Sequence, residues 1–113
     1  MMEELLTNFM RFIDAEADSE KSFDPDKKIA DQFDYLFDET DFRIAMIKFE
    51  MDQHIDIPRT PLNYQLTLRE LCAKISELSP IKKPNIPTFL KKKRAEMAKI
   101  TQEMAADLSR IFG

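Results

Sequence analysis

The one glycine in this chain of 113 residues is Gly113, its last residue. No interior turn can rely on glycine to reach positive φ, so the tight hairpins that build β folds are disfavoured and an all-α chain is expected. Hydrophobic residues make up 43% and charged residues 34%. That balance belongs to a globular protein, and this length buries one core.

Apolar spacing places the helices. Leu5, Leu6, Phe9, Met10, Phe12 and Ile13 fall at helical intervals, with Glu3 and Glu4 in the first turn where the helix dipole favours anions. A first helix over residues 2–17 follows. The polar stretch from Asp18 to Lys28 is a long loop, pinned by a turn that starts at Asp24-Pro25 and by Ile29 and Phe33, four apart and facing inward. Asp38 is an N-cap, and Phe42, Ala45, Met46 and Phe49 form one apolar stripe of a second helix over 39–53. Ile55 and Ile57 alternate with His54 and Asp56 in an extended exit that Pro58 closes. Thr60-Pro61 opens a short helix carrying Leu62 and Tyr64. Thr67 and Glu70 make a capping box for another helix, whose buried face is Leu68, Leu71, Cys72 and Ile75.

Pro80, Pro84 and Pro87 make residues 80–87 an extended linker. Beyond it Thr88 can cap a last amphipathic helix over 88–113. Its residues Leu90, Met97, Met104 and Ile111 recur every seven, with Ile100 and Leu108 beside them. That stripe must be covered, by the chain's own body or by a second copy. Charge is divided the same way: residues 1–80 carry nine Lys and Arg against 18 Asp and Glu, residues 81–113 eight against three. A basic tail on an acidic body folds back on it or meets an acidic partner. Lys91, Lys92, Lys93 and Arg94 point in several directions from one helix, so they are expected as a solvated helix start. Little aromatic interleaving argues against nucleic acid, and nothing favours a membrane surface over other acidic partners.

Several chemistries lack their residues. His54 and Cys72 are the only residues of their types, which argues against a zinc centre and against a nucleophile with a histidine base. Cys72 cannot form an intramolecular disulfide. Asp24, Asp26, Asp31 and Asp34 lack the glycine and terminal glutamate of a calcium loop. An acidic start, Met1 to Leu6, and the lack of any long apolar run fit a cytoplasmic protein.

Taken in order, Ile29 to Asp34, Asp38-Glu39-Thr40-Asp41, Phe49-Glu50, Ile55-Asp56-Ile57-Pro58 and Thr67-Leu68 resemble the acyl carrier proteins over residues 3–78. The resemblance implies a four-helix bundle with a short third helix, here followed by the amphipathic tail. In that family a serine at the start of the second helix carries 4'-phosphopantetheine, and Glu39 stands in its place. Attachment needs a hydroxyl to attack the pyrophosphate of coenzyme A, whereas a carboxylate would give an unstable mixed anhydride. The resemblance therefore implies a carrier-like module without a prosthetic group, non-enzymatic and acting through protein contact. Its docking surface falls on Asp41, Arg43, Lys48, Glu50 and Asp52, all expected to be exposed, and its partners would include enzymes that recognise carrier proteins. The alternatives are a true carrier that uses Thr40, and a module that dimerises or meets membranes through the stripe from Leu90 to Ile111. Departures from the pattern gather at residues 34–41: Asp34 replaces a glycine and Thr40 an apolar residue.

Overall fold

A computed structural model of the chain describes residues 2–18 and 20–112. Met1, Ser19 and Gly113 lie outside them. The described residues form four α-helices: α1 (Met2–Glu16), α2 (Glu39–Gln53), α3 (Leu68–Ile75) and α4 (Ile86–Phe112). Three 3-10 turns, Ala30–Gln32, Pro61–Gln65 and Lys83–Asn85, join them. Among the described residues there is no strand, only an isolated bridge between Lys28 and Thr67.

The helix starts follow from their caps. Asp38 accepts from the Asp41 amide at 2.9 Å while the Asp41 carboxylate accepts from the Asp38 amide at 3.1 Å, a reciprocal pair that satisfies two otherwise unbonded donors. Thr67 and Glu70 repeat the arrangement at the start of α3, with both bonds at 3.0 Å. α2 ends at His54, whose backbone is left-handed at φ 55° and ψ 46°.

The main core lies between α1, α2 and α3 and draws its buried members from Leu6 through Ile75. Phe9 stacks on Phe49 at 4.4 Å and on Phe42 at 5.7 Å between ring centroids. The long loop contributes more than Ile29: Phe23 and Phe37 are buried too, edge to face at 5.7 Å. Gln32 fixes that loop by accepting from the Asp24 amide at 2.7 Å and donating to the Asp24 and Lys27 carbonyls at 2.8 and 3.1 Å. The loop also meets the start of α3, where the Ile29 amide donates to the Leu66 carbonyl at 2.9 Å.

Two expectations change at the far end of the chain. α4 begins at Ile86, with Pro87 inside its first turn, so Thr88 is not its cap and the connection ends at residue 85, in the Lys83–Asn85 turn. Proline suits that position because a first-turn amide has no helical partner to lose. Also, α4 packs along α2, with Phe89, Lys93 and Ile100 buried. Lys93 is therefore not part of a solvated helix start, although Lys91, Lys92 and Arg94 are exposed.

Candidate functional site around the second helix

α2 is covered on most of its circumference. Phe42, Ala45, Met46 and Phe49 face the main core. A second set at helical spacing, Thr40, Ile44, Ile47 and Met51, lies on another side. Ile47 is fully buried yet outside the main core cluster, which assigns its burial to the seam with α4. Glu39, Arg43 and Glu50 share a third side. What remains exposed is Glu39 at the start of α2 and a narrow strip of Lys48 and Asp52, with Asp41 half-buried beside it.

The five residues expected to form one exposed docking surface therefore separate. Lys48 and Asp52 are exposed; Lys48 pairs with Glu16 of α1. Asp41 is half-buried in its capping box, where burial and the neighbouring Asp38 carboxylate push it above the usual aspartate range. Arg43 turns toward a groove. Glu50 is 0% exposed and cannot meet a partner as the structure stands. Its burial has a physical reason: it falls between the core-facing and α4-facing sides, and cations from two other segments reach it.

Those cations form a continuous network. Arg59 pairs with Glu50 through both terminal nitrogens, the Nη1 bond to Oε2 measuring 3.1 Å. Its other N–H groups go to the Ile57 carbonyl at 2.9 Å and to Glu96 at 3.1 and 3.0 Å. All five guanidinium donors are thus used within the chain. Lys93, 1% exposed, donates to Glu50 Oε2 at 2.9 Å and Asp56 Oδ1 at 2.8 Å. Lys92 reaches the other oxygen of Asp56 at 3.2 Å. The Ile57 amide donates to Glu50 Oε2 at 2.7 Å. Three carboxylates and three cations balance, and no buried side-chain polar atom among the described residues lacks a partner. Burial opposes the charge on Lys93, but its bonds to Asp56 and Glu50 outweigh it and hold the ammonium above its ordinary pKa. Asp56 shows the mirror effect: burial raises it, and bonds from Lys93 and Lys92 bring it below the ordinary value.

Glu39 and Thr40, adjacent at the start of α2, face two different hollows. Glu39 lines a groove of about 600 Å³ with Arg43, Met46, Arg59, Tyr64 and Phe33. Burial first, then the Glu39 carboxylate, holds the Tyr64 phenol above its ordinary range. Thr40 lines a smaller cleft with Asp38 and the outer half of α4, namely Met104, Asp107, Leu108 and Ile111. The stripe of α4 is therefore covered unevenly. Ile100 is buried and Leu90 and Met97 are half-buried, while Met104, Leu108 and Ile111 are 43%, 54% and 72% exposed.

Among the described residues no group of three or more His, Cys, Asp or Glu side chains is arranged to hold a metal ion. No helix among the described residues is long and apolar enough to cross a membrane. The Cys72 thiol is buried and pushed up to about 12 by that burial. The residues that sequence reasoning missed are Arg59, Lys93 and Glu96. A signal for them existed: Ile44, Ile47 and Met51 form a second apolar stripe on α2, which requires a second neighbour, and a basic amphipathic helix is the segment left to supply it.

Searches of protein-family models, of curated proteins and of solved structures found no match to this chain.

Proposed function

We propose that this chain is a non-enzymatic helical module with a carrier-protein-like fold and no prosthetic group, and that it acts through contact with other proteins. The observation that carries the contact reading is the outer half of α4, where Met104, Leu108 and Ile111 stand exposed along the rim of the cleft they share with Asp38 and Thr40. Apolar side chains gathered on one face mark interaction surfaces more often than scattered ones do. The carrier-like part is supported by the order of elements: a capped α2 after a long loop, an extended Ile-Asp-Ile-Pro exit, a short turn, and α3 opened by Thr67. Glu39, exposed at the first residue of α2, supports the missing arm.

The test is to replace Glu39 with serine and treat both proteins with coenzyme A and a broad-specificity phosphopantetheinyl transferase. Intact mass is expected to show one added phosphopantetheine on Glu39→Ser and none on the unaltered chain. An arm found on the unaltered chain would assign it to another hydroxyl such as Thr40 and overturn the armless reading. Failure of Glu39→Ser to be modified would remove the carrier-like register.

A further inference from the structure

The main core closes without α4, since every buried residue in it lies between Leu6 and Ile75. α4 instead rests on a surface the body completes by itself. Glu50 is held there by the Ile57 amide and by Arg59, both body groups. Together Glu50 Oε2 and Asp56 Oδ1 form a seat for one cation at the end of the strip made by Ile44, Ile47 and Met51. Lys93 occupies the seat at 2.9 and 2.8 Å. Phe89, one turn earlier, lies beneath its ammonium with the ring centroid 5.5 Å away, and Ile100 is buried seven residues later.

We propose that this side of α2 is a docking seat for an amphipathic helix of a partner protein, and that α4 is the occupant the chain supplies for itself. The chemistry of the partner is read from the occupant: an aromatic residue, a lysine four positions on, and an aliphatic residue seven positions after that. α4 is held there also by Glu96, which accepts from Arg59 at 3.1 and 3.0 Å, so exchange is nearly balanced for an incoming helix that brings the lysine together with a carboxylate three positions on. A buried ion pair fixes register more than it adds stability relative to its solvated parts, so what holds α4 is specific without being permanent. In the connection before α4, Pro80 and Pro84 offer no amide and the Ile81 amide bonds the His54 carbonyl, so the connection stays on the body when α4 lifts from its seat. While α4 is seated, it lowers the apparent affinity for any helix in trans by the fraction of time the seat is filled.

The inference rests on the contact-module reading, and its test is separate. A fluorescent peptide with the sequence of residues 86–104 is titrated into the full chain and into the full-length variants Lys93→Ala and Ile100→Ala. Either variant is expected to bind the peptide at least tenfold more tightly than the unaltered chain, because its own occupant is weakened and the seat is intact. A peptide that itself carries Lys93→Ala is expected to lose that gain. Equal affinity across the three proteins, or no binding to any, overturns the proposal. So does a loss of the core's thermal transition in both variants, which would make α4 part of that core. A chain that dimerises on concentration, with the peptide dissolving the dimer, would give the seat to a second copy and overturn the assignment to a partner. If the competition fails while Glu39→Ser is still modified, the contact-module reading stands without this seat.

Discussion

His54 is where the lack of an interior glycine is felt. Its left-handed φ of 55° closes α2 and turns the chain into the Ile55–Pro58 exit, and a side chain with a Cβ adopts that region at a cost. His54→Gly is expected to stabilise the fold by about 0.5–1 kcal/mol in urea unfolding, since relief of that strain exceeds the added freedom of the unfolded chain. Glu50 is the opposite case, a charge that looks like a surface residue and is not. Glu50→Gln removes the anion between Arg59 and Lys93 and leaves two cations side by side, and it is expected to cost about 3 kcal/mol. Lys93→Ala leaves Glu50 paired with Arg59, so its effect on the same unfolding midpoint is expected to be much smaller. Equal losses from the two changes would mean that Lys93, not Arg59, neutralises Glu50. Sequence alone shows a glutamate at the edge of an apolar stripe. Whether it is covered depends on residues nine and 43 positions away, which no local pattern connects to it.

At the scale of elements, α1, α2 and α3 were legible because local signals agreed: caps at Asp38 and Thr67, stripes at helical spacing, prolines at the breaks. α4 was legible as a helix but not as a neighbour of α2. The seven-residue repeat from Leu90 to Ile111 described its apolar face, while its attachment runs through Phe89 and Lys93, beside that repeat. The docking strip was overdrawn for the same reason, because α2 was assigned a single apolar side. The α2–α4 seam should respond to pH through its own groups. Asp56 lies below its ordinary value in the fold, so its contribution is present above about pH 4 and fades as pH falls through its lowered value. Lys93 lies above its ordinary value, so its contribution is present below about pH 10 and fades only as pH rises past its raised value. The methyl resonances of Ile100 are expected to stay constant between roughly pH 5 and 9 and to shift below about pH 4. A midpoint near neutrality would point to a group outside this seam.

Across the whole molecule, the acidic body and the basic tail meet within the chain through two of the tail's lysines, Lys92 and Lys93, on Glu50 and Asp56. Long-range attraction between the two parts is screened at a distance of about 8 Å in physiological salt, but pairs out of contact with water are screened much less. The molecule should therefore open in tiers. Residues 104–111 are all exposed, with only the open cleft toward Asp38 and Thr40 on one side, and their amides are expected to exchange hydrogen with little protection. Amides from Phe89 to Ile100 depend on the seam and should exchange through release of α4, at a free energy below that of global unfolding. Those of α1 and of the core face of α2 should exchange only with the whole fold. Hydrogen exchange followed by NMR separates the three, and 1 M NaCl is expected to leave their order unchanged because Lys93 is buried with its carboxylates. If residues 89–100 exchange at the same free energy as Phe9, Phe42 and Phe49, α4 and the body form one cooperative unit, and a helix anchored by the burial of Phe89, Lys93 and Ile100 is held as firmly as the aromatic core.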